Sequence, residues 1–162
     1  MKVFFDTEFI EDGKTIDLIS IGMVKSNGET LYMVSSECDY SKASDWVKEN
    51  VLPHVEGERW KYTREEIANA VIKFCGDAPE FWAYYADYDW VVFCQLFGAM
   101  IDLPEGFPMY CRDIKQLCDS VGNPRLPEQE SDEHNALADA EWNKEAFEFL
   151  AQYKEENFQW LQ

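Results

Sequence analysis

Two carboxylates set into an otherwise apolar strand constrain this chain more than any other feature. The segment Lys2-Val3-Phe4-Phe5-Asp6-Thr7-Glu8-Phe9-Ile10 opens with β-branched and aromatic residues in a short continuous run. That is the pattern of a buried strand. Strand side chains alternate, so Asp6 and Glu8 share a face, roughly 7 Å apart along the chain. Neighbouring carboxylates at the edge of an apolar core lose hydration and repel each other. They are tolerable when protonated, paired with a base or holding a cation. Oxygen-rich sites of this kind suit magnesium or manganese. A solvated strand end with two surface acids is the plain alternative, and the rest of the chain decides between them.

Two further strands follow. Glu11 to Lys14 reads as an Asp-Gly turn. Thr15 to Lys25 runs through Ile16, Leu18, Ile19, Ile21 and Val24, and Ser26-Asn27-Gly28 then turns the chain into Thr30 to Ser35. Three strands with tight turns predict an antiparallel meander. The pattern then changes to helix over Ser44 to Val51, carrying Trp46, Val47 and Val51, with Pro53 ending it. Thr63-Arg64-Glu65-Glu66 is a capping box that opens a helix to Cys75, closed by Gly76. Phe81 to Tyr85 reads as a buried strand and Asp87 to Phe97 as a helix. Phe107 to Cys111 reads as a short strand and Asp113 to Val121 as a helix capped by Asp113. An extended loop from Gly122 to Glu133 precedes a long helix over 135–155, with an apolar stripe of Leu137, Ala138, Trp142, Phe147 and Leu150. A meander followed by alternating helix and strand predicts an α/β fold, a mixed sheet with parallel strands added to the meander and helices flanking it.

At 162 residues, with 46% hydrophobic side chains, the chain is expected to form a single domain, 1–162, with a sizeable core. Its 32 acids against 14 bases give a formal charge of −18. That is a poor footprint for gripping duplex nucleic acid through many phosphates, so any nucleic-acid partner must be engaged locally. The five cysteines form no Cys-x-x-Cys pair, which predicts reduced, mostly buried thiols and a cytoplasmic protein. No signal peptide is evident, and the longest nearly apolar run, Trp90 to Ile101, is too short to cross a bilayer.

Two later acidic sites can join the first. Tyr84-Tyr85-Ala86-Asp87-Tyr88-Asp89-Trp90 lies at a strand-to-helix junction, where ligands sit in open α/β sheets. Asp87 and Asp89, both helical, would point about 200° apart, so only one can face a shared site. His134-Asn135-Ala136-Leu137-Ala138-Asp139 is the second. On one helix His134 and Asp139 would be about 140° apart, but with His134 in the preceding loop both reach one pocket. Ala136, Ala138 and Ala140 would let this helix approach the sheet closely.

The order Asp-x-Glu, then aromatic-Asp, then His-x-x-x-x-Asp resembles the DEDDh group of 3′-to-5′ exonucleases, whose fold is ribonuclease-H-like. A sister group carries a tyrosine separated by three residues from its last Asp; that position here is Asn135, so the histidine version fits. The Phe-Asp-Thr-Glu-Phe start and the Phe81–Trp90 block look most like the bacterial polyadenylate-specific exoribonuclease AS family. Many DEDDh proteins have His or Asn where this chain has Tyr84-Tyr85, which weakens the analogy to the DNA-proofreading branch. The resemblance implies that Asp6, Glu8 and Asp139 hold one Mg2+ or Mn2+, with Asp6 shared by a second ion that Asp89 supports. It implies that His134 is the general base. Tyr88-Asp89 matches the family's aromatic-Asp, which leaves Asp87 a capping or supporting part. The implied activity is removal of nucleoside 5′-monophosphates from 3′ ends of single-stranded RNA, including poly(A)-rich ends, by a protein whose relatives commonly form homodimers. Phe9, Trp82, Tyr84, Tyr85, Tyr88 and Trp90 are candidates for stacking on terminal bases, or for core. A DNA exonuclease of the same group and a non-catalytic acidic mimic of nucleic acid are the competing readings.

Overall fold

The computed structural model describes residues 1–129 and 133–157. Strands β1 (Lys2–Glu11), β2 (Ile16–Lys25) and β3 (Thr30–Val34) form the expected antiparallel meander. The turns between them follow their chemistry. Asp12 Oδ1 accepts from the amides of Lys14 and Thr15, and Gly13 and Gly28 take positive φ. Strands β4 (Glu80–Ala83) and β5 (Arg112–Asp113) add in parallel on the other side of β1, giving the order β3-β2-β1-β4-β5. This is the mixed, helix-flanked sheet that the sequence predicts.

Alternation along β1 divides the core. Val3 and Phe5 pack on one face with Phe81, Phe93 and residues of helices α3 (Arg64–Cys75) and α4 (Asp87–Gln95). Phe4 packs on the other with Ile114 and Cys118 of α5 (Ile114–Ser120) and Ala146 and Leu150 of α6 (Ala136–Asn157). Fully burying side chains such as Phe4, Phe5, Phe81 and Phe93 contributes about 1.5–3 kcal/mol each. All five cysteines are free, four of them buried. Among the described residues, no helix is long and apolar enough to cross a membrane.

Several boundaries differ from the sequence expectation. Pro53 does not end helical structure: α1 (Asp45–Asn50) is followed by a second short helix, α2 (Leu52–Glu56), with Pro53 in its first turn. There the missing amide hydrogen costs nothing. The expected strand over Phe107 to Cys111 is absent. The fifth strand is only Arg112–Asp113, immediately ahead of α5, where Asp113 takes up its expected cap by accepting from the Gln116 amide. Strand β4 ends at Ala83, because Tyr85 adopts φ 53° and swings the chain toward α4. Residues 130–132 of the extended loop and 158–162 at the end lie outside the described residues. The stripe expected on α6 is also shifted. Its buried line is Ala136, Ala140, Asn143, Ala146 and Leu150, while Trp142 and Phe147 lie half-buried at its flank.

Small residues along that line let α6 lie directly on the sheet, and Gly22 of β2 completes the fit. Gly22 pairs with Asp6 across the meander. A β-carbon at Gly22 would fall far inside the van der Waals envelope of the Ala136 carbonyl and the Leu137 α-carbon, both backbone. Backbone cannot rotate out of the way, so the first turn of α6 would have to move. Gly22→Ala should therefore cost about 1–3 kcal/mol by overpacking. Gly57→Ala, at a negative φ with open space around it, should cost little. Urea unfolding of the two variants compares them directly; equal midpoints would contradict the close approach.

Candidate active site

The site forms where β1 outruns its neighbour. Strand β4 pairs only with Lys2 to Phe4, so the next backbone groups on that edge of β1 have no strand partner. Side chains take them instead. Asn143 Nδ2 donates to the Phe5 carbonyl at 2.9 Å, and the Thr7 amide donates to Asp89 Oδ1 at 2.9 Å. Thr7 Oγ1 donates to the same oxygen. Because Phe4 faces α6, alternation carries Asp6 and Glu8 to that face, while Thr7 points toward α4. The opening between β1 and β4 is thus bounded by carboxylates from three elements.

The entry of α4 fixes Asp89. The Ala86 amide donates to Asp113 Oδ2 at 2.8 Å, so the residue that caps α5 also ties down the start of α4. Asp87 and Asp89 both fall in the first turn, on opposite sides. Asp89 is buried with 6% of its surface exposed, and Asp87 faces solvent. The capping part expected of Asp87 is not realised: Ala86 occupies the cap position and no side-chain cap bond forms. Asp87 retains only the favourable position of an acid near a helix N-terminus.

The start of α6 supplies the third side. Asn135 Oδ1 accepts from the amides of Leu137 and Ala138, and its carbonyl accepts from the Asp139 amide. His134 lies just ahead at φ 67°, outside the helix, and its amide donates to Asp139 Oδ2 at 3.0 Å. Gln129 Nε2 donates to the other oxygen at 2.7 Å. One potential ligand atom from each of Glu8, His134 and Asp139 lies within 4.8 Å of the others. Asp6, His134 and Asp139 open onto a cleft of about 210 Å³ walled by Tyr84, Trp142 and Asn143. The structure therefore gathers Asp6, Glu8, Asp89, His134 and Asp139 in one place.

Thr7, Asn143 and Gln129 were not singled out in the sequence. Asn143 stands four residues after Asp139, so helical spacing alone puts it on the same face. Thr7 lies between the two strand acids, on the face that a search for paired carboxylates ignores. Gln129 carries no local signal. Among the aromatics, Trp82 and Trp90 pack against the core, while Tyr88 with Phe9, and Tyr85 with Tyr84, stand near the opening.

Electrostatics show what this cluster lacks. Burial pushes the Asp6 carboxyl well above its ordinary range, and Asp89, Glu8 and Asp139 push it further. Glu8 is raised to about 8, by burial first and then by Asp139 and Asp89. Burial lifts Asp89 to about 6 against the opposing hydrogen bonds from Thr7. Asp139 is raised by burial, opposed by Gln129 and by the His134 amide. Among the described residues, every Lys or Arg ion pair lies elsewhere. Four crowded carboxylates with no Lys or Arg partner among the described residues, and one imidazole beside two of them, are the donor set of a hard divalent cation, and these residues fit magnesium or manganese.

Glu8 gives this a measurable sign. In the unfolded chain it titrates near its ordinary 4.5, and in the fold near 8. Between those values the folded state holds the extra proton, so in chelator its contribution to stability falls as pH rises through that window. With EDTA, the melting midpoint should decline between about pH 5 and about pH 8, and Glu8→Gln should flatten the decline. Added Mg2+ or Mn2+ should raise the midpoint most at the alkaline end. An equally steep decline in Glu8→Gln would assign the effect to acids outside the cluster.

The family model describing the 3′-5′ exoribonuclease Rv2179c-like domain matches residues 1–151. The 3′-5′ exoribonucleases Rv2179c and MT2234.1, from the H37Rv and CDC 1551 strains of Mycobacterium tuberculosis, are each 42% identical over 147 residues. Those alignments cover 86% of this chain and 87% of each relative. Among solved structures, S. pombe Pop2p in its Mg2+- and Mn2+-bound form superposes with a TM-score of 0.59 at 13% identity, over 97% of this chain and 85% of that one. A 3′-exonuclease solved in recognition of the histone mRNA stem-loop 3′ end also gives 0.59, at 10% identity, over 95% and 63%. At those identities the likeness is one of fold. The sequence relatives carry more, and the expectation drawn from the three motifs stands: this chain belongs to the Rv2179c-like family of 3′-5′ exoribonucleases.

Proposed function

We propose that this chain, as one exonuclease domain, is a Mg2+- or Mn2+-dependent enzyme that shortens single-stranded RNA from its 3′ end, poly(A)-rich ends included. The observation that carries the reading is the cluster of four carboxylates with no Lys or Arg partner among the described residues, and with His134 at its edge. Asp6, Glu8 and Asp139 would hold one ion, and Asp6 with Asp89 a second. When bound, two such ions stabilise the attacking and leaving oxygens of an in-line phosphodiester displacement.

The chain's own residues do the rest. His134 accepts a proton as a water oxygen bonds to the terminal phosphorus. The bond from phosphorus to the 3′ oxygen of the preceding nucleotide breaks, that oxygen takes up a proton, and a nucleoside 5′-monophosphate leaves. Tyr84 and Trp142 wall the cleft where the terminal nucleotide must lie, and base stacking on aromatic faces tolerates sequence. Free, mostly buried thiols suit a reducing compartment, so we place the activity in the cytoplasm.

An acidic mimic of nucleic acid would display its charges. Here Glu8 and Asp89 are turned inward and held off their ordinary titration, which is costly for a decoy and useful for a metal site. The family relationship favours RNA over DNA as substrate.

Digestion of matched 5′-labelled RNA and DNA oligonucleotides with Mg2+, Mn2+ or EDTA tests the proposal. RNA should be shortened stepwise to 5′-monophosphates, and EDTA should stop it. Undiminished cleavage in excess EDTA, or products bearing 3′-phosphates, would overturn the reading. His134→Ala should lower turnover by about 10²–10⁴-fold with metal binding largely kept, whereas Asp6→Asn should damage both. Because His134 lies within ligating reach of Glu8 and Asp139, calorimetry decides its part: metal lost from His134→Ala as badly as from Asp6→Asn makes it a ligand. Asp89→Asn should abolish most activity, and Asp87→Asn should leave activity and melting near wild type.

A further inference from the structure

His134 is held by its backbone but not, through any described hydrogen bond, by its imidazole. Its amide is fixed on Asp139 Oδ2, and its left-handed φ sets the direction in which the side chain leaves. Rotation about the two side-chain bonds remains. A base that must stand over a reacting water needs that rotation restricted, because misplacement by about 1 Å can cost on the order of 10²-fold in rate.

Among the described residues, the ring that meets the imidazole is Trp46. The two ring centroids are 4.8 Å apart and the planes cross at 77°, a favourable edge-to-face arrangement. Trp46 comes from α1, far from His134 in sequence. Its neighbour Val47 is buried in the cluster formed by Ile10, Ile19 and Val34, which anchors that helix to the meander. The Ser44 cap, with its hydroxyl accepting from the Val47 amide at 3.2 Å, fixes the first turn that carries Trp46. Yet 53% of the Trp46 surface is exposed. A large aromatic left in solvent on a well-anchored helix contributes little to the core, and among the described residues the ring it meets is that of the proposed base.

We propose that Trp46 is a positioning residue for His134: its indole limits imidazole rotation and holds the ring toward Glu8 and Asp139. This rests on the reading of His134 as general base. Among the described residues, the Trp46 side chain makes no hydrogen bond to any of the four carboxylates, so its effect is expected to pass through the histidine.

The test is a double-mutant cycle in single-turnover cleavage of 5′-labelled single-stranded RNA with saturating Mn2+. Trp46→Ala should lower the rate about tenfold, within the limit set by the general-base contribution, at nearly unchanged KM and melting midpoint. Trp46→Phe, which keeps a ring in place, should recover most of the rate. In a His134→Ala background, Trp46→Ala should have no further effect on the rate, because the group it positions is gone. A wild-type rate in Trp46→Ala would overturn the proposal. So would a loss that persists in the His134→Ala background, or one that appears in KM, since either makes Trp46 a contact for RNA. Failure of the underlying reading looks different: His134→Ala would itself cleave at the wild-type rate.

Discussion

The structure depends on one backbone mismatch: β1 continues past the end of β4, and its exposed edge must still be satisfied. An orphaned buried amide or carbonyl costs about 1–3 kcal/mol, so the partners found there are structural necessities as well as site residues. Asn143 takes the Phe5 carbonyl and Asp89 takes the Thr7 amide. Each partner arrives on a different helix, α6 and α4. The edge that a longer β4 would have covered is thereby converted into a pocket, and the helices that close it deliver Asp139 and Asp89 beside Asp6 and Glu8.

That arrangement leaves carboxylates in a place that opposes their charge. Burial and mutual repulsion lift Asp6, Glu8, Asp89 and Asp139 together, and Thr7, Gln129 and the His134 amide only partly offset it. Such a cluster weakens the fold in chelator and becomes favourable when positive charge enters. Stability is lost at the point where function is gained, a common exchange at active sites. The global charge of −18 points the same way: attraction for RNA has to be local, at the cleft, and not spread over the surface.

Much of this was legible in the sequence because it rests on local periodicities. Strand alternation placed Asp6 and Glu8 on one face, helical geometry separated Asp89 from Asp87, and the five-residue spacing required His134 to lie outside the helix that bears Asp139. The Thr63 capping box and the Asp113 cap appear where their chemistry put them. What stayed hidden depends on contacts between distant segments. Nothing around Gly22 announces that a helix more than a hundred residues later will rest on it, and nothing around Trp46 predicts His134. The Pro53 and Phe107–Cys111 expectations erred for a related reason. Proline is a breaker only inside a helix, and a short apolar run becomes a strand only where the sheet has an edge to receive it.

The central claim is that Asp6, Glu8, Asp89 and Asp139 form a divalent-cation site. Anomalous diffraction from crystals grown with Mn2+ and a nucleoside 5′-monophosphate tests it most directly. Two manganese peaks should appear among these four carboxylates, with Asp6 touching both. Manganese bound only elsewhere on the acidic surface, with the four carboxylates protonated or hydrogen-bonded to one another, would contradict the account.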